Sequence, residues 1–86
     1  VTNRIKLLIN WYELAGNNLV GEYEITDMTI DEILALFDAP FWNGSYHCWA
    51  IEPQHVPVLQ PHIDHIIQPQ QYAYFLEAIK INSQLA

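Results

Sequence analysis

Apolar and polar residues alternate from Ile5 to Tyr12, so that Ile5, Leu7, Ile9 and Trp11 share one face of an extended chain. This period of two predicts a β-strand. Ala15-Gly16-Asn17-Asn18 follows, rich in residues that tolerate positive φ, and predicts a turn. Leu19–Ile25 predicts a second strand in which Tyr23 and Ile25 oppose Glu22 and Glu24. Two such strands joined by such a turn predict an antiparallel hairpin. One face is packed, and the other is wet and carries the two neighbouring carboxylates.

The period then changes. Thr29-Ile30-Asp31-Glu32 matches a capping box, with Met28 and Ile33 in the positions of a hydrophobic staple. Ile30, Ile33, Leu34 and Phe37 fall on one face of the helix that follows. Asp27, Asp31 and Glu32 cluster at the positive end of the helix dipole, a local reason for three of the acids. Ala39-Pro40 is expected to end the helix, because a residue before proline avoids helical backbone.

Phe41-Trp42-Asn43-Gly44 reads as a turn, and Ser45–Ile51 as a third strand alternating Tyr46, Cys48 and Ala50 with His47, Trp49 and Ile51. Pro53 suits the first turn of a short helix running to about Leu59, with Pro61 expected to break it. The stretch from His62 to Ile67 fits either extended chain or a helical turn. Gln68-Pro69-Gln70-Gln71 is a turn. Tyr72–Ile81 has the length of a strand or of three helical turns. Its aromatics and the lack of a cap favour a strand, with Tyr74, Leu76 and Ala78 alternating with Phe75, Glu77 and Ile79. The order β-β-α-β-α-β predicts a single α+β domain over residues 1–86. Its architecture is a two-layer sandwich of about four antiparallel strands with one main and one short helix.

Charge adds a functional constraint. Between Leu7 and Ile79 there is no lysine or arginine, yet all 10 carboxylates lie there; the three cations are Arg4, Lys6 and Lys80. A one-signed field repels phosphate and anionic lipid and speeds encounter with basic partners. Nucleic-acid binding, which depends on Lys and Arg at phosphates, is therefore not expected. Nor is membrane binding, since no apolar run approaches the length of a span. The one cysteine, Cys48, permits no internal disulfide and fits a reducing cytoplasm. An excess of acid also serves solubility, so the charge is read together with aromatic anchors. Trp42 and Tyr46, in a turn and the strand it feeds, are candidate anchors, with Glu22, Glu24, Asp27, Asp38 and Glu52 as the acidic surround. Trp49 is assigned to the core.

Catalysis and cofactors find little support. Cys48 follows His47, but strand neighbours point to opposite faces, so they form no nucleophile–base pair. No phosphate loop or nucleophile elbow is present. Glu22 and Glu24 share a face but need a cleft to work as acid and base. His47, Cys48, His55, His62, Asp64 and His65 have the right atoms for Zn²⁺ but no standard spacing. A small metal-binding module, or one that oligomerises through a free strand edge, stands as the alternative to a protein-binding domain.

Leu19-Val20-Gly21-Glu22-Tyr23-Glu24-Ile25, Thr29-Ile30-Asp31-Glu32-Ile33-Leu34-Ala35-Leu36-Phe37, Ser45-Tyr46-His47-Cys48 and Tyr72-Ala73-Tyr74-Phe75-Leu76-Glu77 occur in succession. The succession resembles small bacterial α+β immunity proteins of polymorphic and contact-dependent growth-inhibition toxin systems. That resemblance implies a cytoplasmic antitoxin without enzymatic activity that blocks one cognate basic toxin domain, often a nuclease. It carries over no catalytic motif and no contact residues.

Overall fold

The computed structural model describes residues 2–39 and 46–83. Its strands are β1 (Thr2–Glu13), β2 (Leu19–Ile25), β3 (Tyr46–Ala50) and β4 (Tyr72–Ser83), and its helices are α1 (Ile30–Leu36) and α2 (Val56–Leu59). The four strands form one open sheet in the order β2-β1-β4-β3, antiparallel throughout. Both helices lie on the same side of it, which makes the fold a two-layer α+β sandwich. At about 3.4 Å per residue, the twelve-residue central strands account for the molecule's 42 Å long axis.

Register decides which alternating set meets which. Leu7, Ile9 and Trp11 of β1 stand opposite Ile25, Tyr23 and Gly21 of β2, and opposite Ala78, Leu76 and Tyr74 of β4. These residues make the inner face, closed by Ile33, Leu59, Ile63 and Ile67. Ile9, Ile33, Leu59 and Leu76 are fully buried. Gly21 is required by space: a Cβ there would overlap the Trp11 indole. That indole also stacks on His65, with ring centroids 4.0 Å apart and planes 14° apart.

Local chemistry sets the boundaries. The hairpin turns at Asn17, with φ of 60°, closed by Glu13 N–H to Asn18 C=O at 2.9 Å. The α1 capping box forms as its sequence predicts: Thr29 Oγ1 accepts from Glu32 N–H, and Glu32 Oε1 accepts from Thr29 N–H. The helix ends before Ala39-Pro40 acts. Asp38 takes φ of 54°, its N–H bonds Ala35 C=O, and Ala39 N–H bonds Leu34 C=O. This is a Schellman motif with aspartate where glycine is usual.

The second helix ends at Leu59, as its sequence predicts, although 3₁₀ turns extend the helical run on both sides. A 3₁₀ turn at Pro53–His55 leads into α2, and a second at Gln60–His62 follows it. Pro61 sits in the first turn of that second segment, where its missing N–H is not needed. The ambiguous stretch after His62 is a loop that dips into the core through Ile63 and Ile67. One side chain holds it: Gln60 Nε2 donates to His65 C=O, and Gln60 Oε1 accepts from Ile67 N–H. Tyr72–Ile81 is a strand, extended to Ser83. Among the described residues, no helix is long and apolar enough to cross a membrane.

Candidate functional site

The strands that bury one set of side chains must present the other set on the reverse face, away from α1 and α2, which pack on the opposite side. Reading across from β2 to β3, one row is Glu24, Leu8, Glu77 and Cys48, and the next is Glu22, Asn10, Phe75 and Ala50. Lys6, Ile79 and Tyr46 flank the first row, and Tyr12 and Ala73 flank the second. The ladder therefore puts three carboxylates, Glu22, Glu24 and Glu77, among Tyr12, Phe75 and Tyr46. Leu8 and Asn10 are buried even so.

Asn10 organises the centre. Its Nδ2 donates to Glu77 Oε2, while its Oδ1 is shut off from solvent and has no donor. A buried acceptor left in that state costs about 1–3 kcal/mol, so the centre of this face has an unmet demand for hydrogen-bond donors. Tyr12 and Phe75 meet edge to face at 5.9 Å. Together with Asn17, Tyr46, Cys48, Ala73 and Glu77 they line a groove of about 350 Å³. Burial and the charge of Glu77 push the Cys48 thiol up, and burial followed by Glu77 does the same to the Tyr46 phenol. Cys48 is accordingly a protonated thiol at neutral pH rather than an activated nucleophile.

The three cations, placed near opposite ends of the chain, meet at one end of the sheet. Arg4 pairs in register with Ile81, Ile5 with Lys80, and Lys6 with Ile79. Arg4 Nη1 lies 3.6 Å from Glu24 Oε2, an exposed pair that adds little stability. No Lys or Arg pairs with Glu22 or Glu77 among the described residues.

The sequence-derived site residues divide between places. Glu22, Glu24 and Tyr46 share the open face, with Tyr46 53% exposed. Asp38 and Glu52 do not join them. They line a separate groove with Leu36, Phe37, Trp49 and His55, beside the stacked Phe37 and Trp49 rings. Both acids there have local work: Asp38 turns the chain out of α1, and Glu52 accepts from the Gln54 side chain at 3.0 Å. Asp27 belongs to the helix side, with Oδ1 2.9 Å from His62 Nδ1 in a contact of proximity rather than an aligned hydrogen bond. Trp42 lies outside the described residues.

Four residues of the open face were not among the sequence candidates: Asn10, Tyr12, Phe75 and Glu77. Their signal was the second phase of alternation in β1 and β4. It could not be read as one surface without knowing that those two strands pair.

The histidines are dispersed. His47 packs on Trp49 at 4.5 Å, and His55 Nδ1 accepts from Glu52 N–H. His65 Nε2 lies 2.6 Å from Tyr74 Oη, which also accepts from Gln68 N–H. Burial pulls His65 below the usual histidine range. Among the described residues, no three His, Cys, Asp or Glu side chains gather as a metal site.

No curated protein shows significant similarity to the chain. Residues 6–77 match the family described as a domain of unknown function (DUF7683), and the chain belongs to that family.

Proposed function

We propose that this protein is a binding module that holds a basic partner protein on the open face of its sheet, without catalysis. One observation carries the reading: among the described residues neither helix covers this sheet face, which combines the carboxylates Glu22, Glu24 and Glu77 with large aromatics. Apolar and aromatic area supplies lasting contact, while the acids raise the encounter rate with a positive surface. Phosphate and anionic lipid would meet the same field as a repulsion.

The resemblance to immunity proteins gives the partner a specific form, a cognate toxin domain such as a nuclease whose basic cleft the acids would match. The protein would then act in the cytoplasm, where such a toxin reaches its target. The metal-binding alternative is weaker, because the histidines are each engaged with different neighbours.

The test begins with low-salt capture of a basic protein from the source cell, followed by kinetics on the purified pair. Glu22→Gln with Glu24→Gln should slow association about tenfold at low salt, an effect that fades at high salt. Asp31→Gln with Asp64→Gln, on the helix side, should leave the rate nearly unchanged. Loss on the helix-side pair instead would move the interface to the other layer. A captured protein whose nuclease activity this chain silences would support the toxin form.

A further inference from the structure

Glu77 is the one carboxylate at the centre of the open face, and its setting differs from that of Glu22 and Glu24. Those stand on the outer strand β2, whereas Glu77 is half-buried on central strand β4, with Asn10 Nδ2 fixing its carboxylate. Lys6 stands one register row away, beside Ile79, and makes no ion pair with it. Beside Glu77 runs the groove walled by Tyr12, Phe75 and Tyr46.

Resting on the reading of this face as the partner surface, we infer that the groove takes an arginine side chain of the basic partner, with Glu77 as its counter-charge. A guanidinium is planar and weakly hydrated, stacks on aromatic rings, and binds a carboxylate through two parallel N–H bonds. The groove offers both a half-buried, prefixed carboxylate and aromatic walls, a combination absent around the other acids of the face. A lysine ammonium is a compact, strongly hydrated charge and gains less from the walls. The acids at the rim draw the partner in, and the groove holds one side chain and so fixes its register.

The experiment is an NMR titration of the isotope-labelled protein with N-acetyl-arginine amide, run beside its neutral isostere N-acetyl-citrulline amide. The arginine compound should shift the Asn10 side-chain amide and the backbone amides of Tyr12, Phe75 and Glu77, while citrulline leaves them in place. Glu77→Gln should weaken that binding about tenfold, the loss of one charge-assisted pair. Should that variant fold poorly, alkylating Cys48 with N-ethylmaleimide plugs the same groove without changing β4, and should abolish the shifts. Equal shifts with citrulline, or shifts that survive both changes, would overturn the inference. A lysine homopolymer separates the two levels. If it moves the Glu22 and Glu24 amides while the arginine compound leaves the groove untouched, the face binds cations and the arginine groove is wrong. If neither probe moves any residue of the open face, the groove and the binding-face reading fall together.

Discussion

Leu76 and Glu77 are neighbours in the chain, yet they live in different molecules as far as their chemistry is concerned. Leu76 is fully buried between Ile9 and Trp49, under the helical layer. Glu77 stands on the reverse of the same strand between Leu8 and Cys48, on the side away from the helices. The same contrast separates Ile9 from Asn10. One face of the sheet was spent on making a core. The other, freed from that duty, tolerates a carboxylate, a buried amide with an orphaned oxygen, and aromatics at a groove. A small domain can carry such a surface because its main hydrophobic cluster lies on the opposite side.

If that division is right, substitutions on adjacent residues should behave very differently. Leu76→Ala should cost about 2–5 kcal/mol by urea denaturation, from lost transfer energy and the cavity left behind. Glu77→Gln keeps the shape and an acceptor for Asn10, and should move stability by less than about 1 kcal/mol. Comparable losses at both positions would mean the open face also carries the fold.

A smaller effect sharpens the account of the packed side. Gly21→Ala should cost about 1–3 kcal/mol, because the new methyl displaces the Trp11 indole that stacks on His65. A change in tryptophan fluorescence should accompany the loss. An unperturbed indole would show that β2 gives way instead.

The smallest expected effect is a pH dependence from the same cluster. Burial holds His65 below its unfolded value, so the unfolded chain binds its proton more readily. The stability this contributes is complete above about pH 6.5 and is lost as pH falls through the lowered folded value. His65→Gln should flatten that part of the decline, measured as urea midpoints from pH 7.5 to 5. An identical decline in the variant would place the pH dependence elsewhere.

Much of the fold is legible because its signals are local. Alternation from Ile5 to Trp11 and from Tyr72 to Ile81 marks two strands, and Thr29 with Glu32 marks a helix start that needs no distant partner. The end of α1 is local too, but subtler. Asp38 adopts a left-handed turn that proline chemistry alone does not foretell. The candidate site is legible only in part. Glu22 and Glu24 share a face because they share a strand. Placing Asp27, Asp38 and Glu52 with them assumed that acids close in sequence are close in space, which the two layers separate.

The sequence by itself determined the period of each element, the capping of α1, the one-signed middle of the chain and the α+β class, since each depends on neighbours a few residues apart. Only the tertiary structure decided that β1 and β4 lie side by side. That pairing gathers the three cations at one end of the sheet and sets Asn10 against Glu77 and Tyr12 against Phe75. Strand order is a choice among hydrogen-bond ladders of similar local quality. It is settled by which arrangement buries Leu7, Ile9, Trp11, Tyr74, Leu76 and Ala78 in one core, a sum over the whole chain that no short window contains.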